Sequence, residues 1–226
     1  FEEEIRFKFD MNGKAEFPFY LRIPSWCPNA RIAINGNEVT SELIAGQYGQ
    51  IHREWKNGDI VTLQMPMSLN VKRWQTNKNS ASINYGPLTY SLLIKENYQK
   101  VNSEENAIWD SKWQKGADVN AWPTYEIYPD SPWNYALKLD DAAPEENLIV
   151  EKREWPSDDF PFTIQNVPFL IKAKGRKVPS WKIDKYGLCG MLPEENCSKS
   201  DTLEDITLIP MGAARLRISS FPVAQD

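Results

Sequence analysis

Apolar and polar residues alternate through much of residues 1–95, and this period of two constrains the fold more than any other feature of the sequence. Ile5, Phe7 and Phe9 alternate with charged residues in EEIRFKFD, and FYLRI, IVTLQM and LTYSLLI repeat the pattern. Alternate side chains of a strand point to the same face, so each segment predicts a strand with one buried face. No apolar run with a period of 3.6 residues reaches helical length. The pattern therefore favours an all-β protein.

Turn signals separate these segments at short intervals. Asn35-Gly36 predicts a hairpin, because both residues accept positive φ, and Asn57-Gly58-Asp59 predicts a second tight turn. The segment IPSWCP, residues 23–28, carries two prolines that cannot donate to a strand ladder, so it predicts a corner between two sheets. We expect Trp26 to point inward and fill that corner. Short strands with closely spaced turns indicate a β-sandwich.

A change in composition divides the chain. Residues 95–110, KENYQKVNSEENAIWD, are polar and have no apolar period, so we predict a first β-sandwich at 1–95 and a second, less regular one at 96–226. In the second part, strands are expected at Tyr125–Tyr128 and Trp133–Leu139, in FPFTIQNVPFLIKAKG, and in DITLIPMGAARLRISSFP. In this last run Leu208, Met211, Leu216 and Ile218 are expected to face inward. The predicted architecture is two consecutive antiparallel, jelly-roll-like sandwiches.

The amino-acid composition agrees with this architecture. The chain has nine Trp, nine Tyr, nine Phe and sixteen Pro; aromatic residues favour strands, and proline is excluded from helix interiors.

Charge and hydropathy exclude two classes of partner. The formal net charge is −5, whereas nucleic-acid binding normally needs a basic face. The basic segment KAKGRKVPSWK, residues 172–182, is interpreted as a solvated strand-loop-strand at a sheet edge, where lysines discourage aggregation. No run of eighteen apolar residues is present, so no membrane-spanning segment is predicted. We therefore expect neither a nucleic acid nor a membrane as partner.

Few residues in the sequence could carry catalysis. Acidic doublets occur in Pro- and Ser-containing stretches, but neighbours on a strand point to opposite faces, and solvated loops explain these doublets more simply than a catalytic pair: Glu104-Glu105, Asp140-Asp141, Glu145-Glu146, Asp158-Asp159 and Glu194-Glu195. The single histidine, His52, is expected on the outer face of its strand, opposite to Ile51. A metal site or a triad built on several histidines is thus ruled out. No catalytic, cofactor-binding or metal-binding residue is predicted.

Cysteine and tryptophan leave alternatives open. Three cysteines without a CxxC pair fit buried thiols, although Cys189 and Cys197 could close a small disulfide loop in an oxidising compartment. Six tryptophans crowd the second half, where they serve either as core and interface residues or as a platform that stacks on sugar rings: Trp109, Trp113, Trp122, Trp133, Trp155 and Trp181. Counting alone does not separate these roles.

Several motifs in order resemble one family. FPFYLRIPSWC, INGNEV, REWKNGDIVTLQMPM and NYGPLTYSLL are similar to the region that follows the catalytic barrel in glycoside hydrolase family 127, the β-L-arabinofuranosidase type. WPTYEIYPDSPWNYAL and ITLIPMGAARLRISSFPV resemble the C-terminal strands of one branch of that family. The resemblance spans nearly the whole chain.

The resemblance implies a role without catalysis. In that family an (α/α)₆ barrel carries catalysis, with a zinc-thiolate arrangement, a cysteine nucleophile and glutamates, and none of these positions maps onto a residue here; Cys27 lies in the strand corner. The expected function is an accessory region that packs against the barrel, with the barrel and arabinose-containing glycans as partners, and zinc belonging only to the barrel. The alternatives are a carbohydrate-binding module with exposed rings and a self-sufficient enzyme.

Because the chain opens at Phe1 in strand-like sequence, we expect it to be a piece of a longer bacterial polypeptide, whose compartment the sequence leaves unspecified.

Overall fold

The computed structural model describes residues 2–39, 43–101, 118, 120–140 and 142–224. Strands make up nearly all the regular structure of these residues, and two short 3₁₀ turns, Pro144–Asn147 and Met211–Ala213, are its helical elements. The all-β prediction is therefore confirmed. Within the described ranges, no helix has the length and hydrophobicity needed to cross a membrane.

The chain forms two compact units. Unit 1 contains Phe1–Asn70 and Asn84–Leu88, and unit 2 contains Val71–Ile83 and Thr89–Asp226. The boundary after residue 95 stays a prediction, because compactness alone does not show which segments fold independently.

Unit 1 is a sandwich of two small antiparallel sheets. The four-stranded sheet has the order β1-β6-β3-β4, and the second sheet pairs β2 with β5. The strands are β1 (Glu4–Lys8), β2 (Lys14–Arg22), β3 (Arg31–Ile34), β4 (Asn37–Glu38), β5 (Tyr48–Lys56) and β6 (Ile60–Gln64). The alternating residues of both sheets meet in one core, as the period of two predicted: Leu21, Ile23, Ile32, Ile34, Ile51, Trp55, Val61 and Leu63. Ile5 is an exception, since it is 40% exposed.

The predicted corner joins the two sheets of unit 1. Residues 23–28 follow β2 of one sheet and lead to β3 of the other, so the chain changes sheets there. Trp26 is only half-buried, and the residue that fills the corner is Cys27, which is fully buried. The large ring of this core is instead Trp55, which stacks on Phe9 with ring centroids 4.4 Å apart and donates its indole N–H to the Phe17 carbonyl at 3.0 Å.

Unit 2 is built around one large, mostly antiparallel sheet. Its order is β16-β12-β14-β15-β9-β8-β7, with β13 also paired to β14, and β10 and β11 form a separate two-stranded antiparallel sheet. The one parallel pairing described in this sheet joins β12 and β16. The strands are β7 (Leu69–Trp74), β8 (Ser80–Tyr85), β9 (Leu88–Leu92), β10 (Glu96–Val101), β11 (Thr124–Pro129), β12 (Tyr135–Lys138), β13 (Ile149–Lys152), β14 (Phe169–Lys177), β15 (Leu203–Pro210) and β16 (Val223–Ala224).

The basic segment is not at a sheet edge, so that prediction was wrong. β14 is an interior strand that pairs with β12 and β13 on one side and with β15 on the other. Gly175 lies within this strand, where an added Cβ would come within 3.1 Å of the Ala136 carbonyl oxygen. The glycine is thus explained by a close approach of neighbouring strands.

Two other predictions for unit 2 were wrong in detail. FPFTIQN at 160–166 forms turns and bends instead of a strand. The N-terminal part of β14 pairs with β13 and not with this segment. Met211 is 40% exposed because it follows Pro210 into a 3₁₀ turn, which ends the alternation begun by Leu208. Ile218 is buried as expected.

Candidate functional site

The acidic doublets do not form a paired catalytic site where the structure describes them. Glu104-Glu105 and Asp141 lie outside the described residues. Glu145-Glu146 is exposed in a 3₁₀ turn. The other two doublets make structural contacts. Asp159 accepts a hydrogen bond from the Trp155 indole at 2.6 Å, and Asp158 accepts one from the Asn166 side chain at 3.1 Å.

Glu195 has the most extensive set of partners among these acids. The Arg73 guanidinium lies 2.7 Å from its carboxylate, and the Asn79 side-chain amide donates to both carboxylate oxygens at 3.0 and 2.9 Å. The hydrogen bond from Asn79, followed by that from Arg73, lowers the pKa of Glu195. Glu194 instead lies 3.0 Å from Lys78. This doublet therefore fixes a loop to the β7–β8 hairpin.

His52 lies on the outer face of β5, as predicted. Its side chain is 54% exposed and its Nδ1 is 3.9 Å from a carboxylate oxygen of Glu16, while Ile51 is buried. In the part of the chain that the structure describes, no three His, Cys, Asp or Glu side chains gather closely enough to hold a metal ion.

The cysteines are free thiols in three different environments. Cys27 is buried, and this burial raises the pKa of its thiol. Cys189 is exposed and Cys197 is half-buried, and the two are not bonded to each other. The alternative of a Cys189–Cys197 disulfide is thus not seen, and neither thiol is a buried core residue.

The tryptophans of unit 2 divide between core and surface. Trp109 and Trp113 lie outside the described residues. Trp181 is buried and meets Trp133 edge-to-face, with centroids 5.2 Å apart. Trp122 and Trp155 are 71% and 48% exposed. The surface ring pairs Tyr98–Tyr125 and Phe160–Phe162 are also edge-to-face, so they do not form the coplanar row expected of a sugar platform.

A polar cleft opens beside the end of the β10–β11 strand pair at which Glu96 faces Pro129, with a volume of about 550 Å³. Its floor is apolar and consists of Leu93, Ile164 and Ala213, which belong to or pack against a buried cluster of unit 2. The rim is polar and consists of Lys95, Glu96, Tyr98, Asp130, Thr163, Gln165 and Arg215. An apolar floor with convergent polar groups is typical of a ligand site.

Hydrogen bonds hold the rim of the polar cleft in place. Glu96 accepts the backbone N–H of Arg215 at 2.9 Å and the hydroxyl of Tyr98 at 2.7 Å. The hydrogen bond to Glu96 raises the pKa of Tyr98, so the phenol stays protonated. The backbone N–H of Asp130 donates to the Lys95 carbonyl at 2.7 Å, which fixes the two residues side by side.

A second, more apolar cleft of about 290 Å³ lies on unit 2 and is lined by Ile127, Trp133, Leu188 and Ile218, among others. Beside it runs a loop with exposed hydrophobic side chains, here called the apolar loop: Ile183, Tyr186, Leu188 and Met191, which are 42%, 73%, 64% and 85% exposed. The loop is ordered, because the Asp184 carboxylate accepts the N–H groups of Tyr186 and Leu188 at 2.8 and 3.0 Å.

Sequence reasoning missed both clefts. Their residues come from segments far apart in the chain and carry no motif, since the polar cleft joins residues near 95, 130, 164 and 215. The Asp184-Lys185-Tyr186-Gly187 turn was the one local signal, because Asp and Gly at these positions favour a tight turn with exposed neighbours.

Comparison with known proteins agrees with the sequence motifs. Residues 1–67 match the family model described as β-L-arabinofuranosidase, GH127 middle domain. The resemblance to glycoside hydrolase family 127 is confirmed. No curated protein sequence matches the chain significantly.

Solved structures share the fold of the whole chain. A protein described as a glycoside hydrolase has 22% sequence identity to this chain and a TM-score of 0.58. The aligned region covers 99% of this chain and 31% of that protein. Ara127N-Se, a GH127 β-L-arabinofuranosidase from Geobacillus stearothermophilus T6, has 20% identity and a TM-score of 0.57, and the aligned region covers 99% of this chain and 29% of that enzyme. The GH127 β-arabinofuranosidase BT3674 has 18% identity and a TM-score of 0.55, and the aligned region covers 99% of this chain and 30% of that enzyme. The chain thus spans about 30% of the length of these solved structures, and the similarity shows that it shares the fold of that part of them.

Proposed function

We propose that this chain is the non-catalytic β region of a family 127 glycoside hydrolase and that it packs against an (α/α)₆ catalytic barrel, whose shape it supports. The observation that carries the proposal is the match of residues 1–67 to the family's middle domain. The solved relatives extend over about three times the length of this chain, which leaves room for a catalytic domain in the same polypeptide.

The state of the acidic side chains supports a structural role. Glu195 is held by Arg73 and Asn79, and Glu204 by Lys177 and Tyr135. These contacts lower the pKa values of both carboxyls. A general acid of a glycosidase needs the opposite, a raised pKa that keeps the proton available near neutral pH.

The apolar loop supports the packing part of the proposal. Tyr186, Leu188 and Met191 leave most of their surface in solvent. A contiguous set of exposed hydrophobic side chains marks an interaction surface, because covering it removes apolar area from water. The occupant we propose is the barrel of the same polypeptide.

Two measurements test this function. Residues 1–226 alone are expected to release no product from 4-nitrophenyl β-L-arabinofuranoside above the buffer blank, whereas the longer polypeptide with its helical domain hydrolyses it. In that longer polypeptide, Tyr186→Ser with Leu188→Ser and Met191→Ser should lower the Tm by several degrees, because the loop loses its apolar contacts with the barrel.

The matched control replaces two exposed rings of unit 1, Tyr20→Ser with Tyr48→Ser, and is expected to change the Tm less. Turnover by residues 1–226 alone would overturn the non-catalytic assignment. An unchanged Tm in the triple variant would show that the apolar loop does not contact the barrel.

A further inference from the structure

We propose that the polar cleft binds one neutral sugar residue of a glycan. The choice of a saccharide among neutral polyhydroxylated ligands rests on the proposed function, whereas the neutrality and size of the ligand follow from the cleft itself.

The shape of the cleft fits a small cyclic ligand. Its volume of about 550 Å³ lies within the range of natural ligand sites, and it is open to solvent on the rim side. Leu93, Ile164 and Ala213 offer an apolar floor to the C–H face of a sugar ring. The polar residues line the same cleft and supply donors and acceptors for the hydroxyls of a sugar that lies on this floor.

The charges of the rim favour a neutral ligand. Lys95 and Arg215 carry positive charge, and Glu96 and Asp130 carry negative charge, so the formal charges cancel. A phosphate or a carboxylate is normally bound by an excess of cationic donors, often in bidentate pairs with arginine. A sugar hydroxyl both donates and accepts, so it pairs equally well with the carboxylate of Asp130 and the ammonium of Lys95.

The rim is organised before a ligand arrives. Glu96 is fixed by Tyr98 and by the backbone of Arg215, and Lys95 is fixed through its backbone by Asp130 and by the Ser131 hydroxyl at 2.9 Å. Across the described part of the chain, the side chains of Lys95, Asp130 and Gln165 have no hydrogen-bond or ion-pair partner, so their polar atoms remain available to a ligand. Preorganisation reduces the entropy lost on binding.

The test is a titration of ¹⁵N-labelled chain with methyl β-L-arabinofuranoside, followed by two-dimensional NMR. We expect saturable shifts at the amides of Lys95, Gln165 and Arg215 with a Kd in the millimolar range. Asp130→Asn and Gln165→Ala should each weaken binding roughly 3- to 10-fold, which is the effect of losing one hydrogen bond. Gln99→Ala is the matched control, because Gln99 is exposed on β10 outside the cleft, and it should leave the Kd unchanged.

Arabinose 5-phosphate serves as a second probe and should bind no more tightly than the neutral glycoside. Tighter binding of the phosphate would overturn the assignment of a neutral ligand. Shifts centred on Trp122 or Trp155, or no shifts at ~100 mM glycoside, far above a millimolar Kd, would overturn the site. Either failure would leave the proposed function standing, since hydrolysis by residues 1–226 is measured separately.

Discussion

At the scale of single residues, Asp59 joins two turns that are distant in sequence. Asn35 has a φ of 50° in the β3–β4 turn, and its side-chain amide donates to the Asp59 carboxylate at 2.8 Å while its amide oxygen accepts the N–H of Ile60 at 2.8 Å. The other Asp59 oxygen accepts the N–H of Lys56 at 3.1 Å, and only 1% of the residue is exposed. The β3–β4 hairpin turn is thereby locked to the turn that carries the chain from β5 in one sheet to β6 in the other.

Replacing Asp59 by Asn should destabilise unit 1. The new amide has a single acceptor oxygen, so its NH₂ group must face either the Asn35 amide or the Lys56 N–H, and a donor then meets a donor. We expect Asp59→Asn to lower the Tm by roughly 3–6 °C in a thermal scan. Asp10→Asn, an exposed residue of the same unit, is the control and should change little.

The same contact predicts a pH dependence. The hydrogen bond from Asn35, followed by that from Lys56, lowers the pKa of Asp59 below its unfolded value of about 3.9. A carboxyl with a lowered folded pKa contributes stability that is present above the unfolded pKa and is lost as the pH falls through the folded one. The Tm difference between wild type and Asp59→Asn should therefore shrink below about pH 4. A difference that stays constant down to pH ~2 would contradict the role of the charge.

At the scale of elements, the sequence predicted what is local and missed what depends on neighbouring strands. Asn35-Gly36 and the proline corner were placed correctly because turn geometry is encoded in adjacent residues. The basic segment was wrongly placed at a sheet edge because its lysines resemble those of a solvated edge unless the strands that flank β14 are known. The polar cleft was missed for the same reason, since only the pairing of β10 with β11 brings Glu96 beside Pro129 and so close to Asp130.

The loop at 191–199 shows how one element is held by another through side chains. Glu195 is anchored by Arg73 and Asn79 from the β7–β8 hairpin, and the Lys78 ammonium donates to the Leu192 carbonyl at 2.6 Å. The Lys199 ammonium donates to the Glu195 carbonyl at 2.6 Å. This loop has no regular secondary structure, so these contacts determine its position.

Glu195→Gln should loosen this loop without unfolding unit 2. The glutamine keeps one acceptor for Asn79 but loses the charge that pairs with Arg73, and the partial exposure of this pair limits the effect. Amide hydrogen exchange of residues 191–199 should become roughly 3- to 10-fold faster, while exchange in β14 and β15 stays unchanged. Glu194→Gln is the control, because the Glu194 carboxylate pairs with Lys78 and is 64% exposed. Equal acceleration in both variants would contradict the anchoring role of Glu195.

At the scale of the whole molecule, basic side chains are paired locally with acids, and the chain as a whole carries a net negative charge. Three of the four lysines of the basic segment face acids on adjacent strands: Lys172 lies 3.5 Å from Glu151, Lys174 lies 2.9 Å from Asp205, and Lys177 lies 2.8 Å from Glu204. A polyanion would have to compete with these carboxylates, and it would also meet a net charge of −5. The segment that looks most basic in the sequence is thus unsuited to phosphate binding in the fold.

This balance predicts that the chain does not bind nucleic acid. In a fluorescence anisotropy titration with a labelled DNA duplex at about 0.15 M salt, any Kd should exceed the 10⁻⁴–10⁻⁶ M typical of non-specific binding. Glu151→Gln with Asp205→Asn removes two of the acidic partners, so weak binding should emerge at low salt and vanish as salt is added. Wild-type binding with an affinity that falls steeply with salt would show that the lysines reach phosphates despite their partners, and the argument from local charge balance would be wrong.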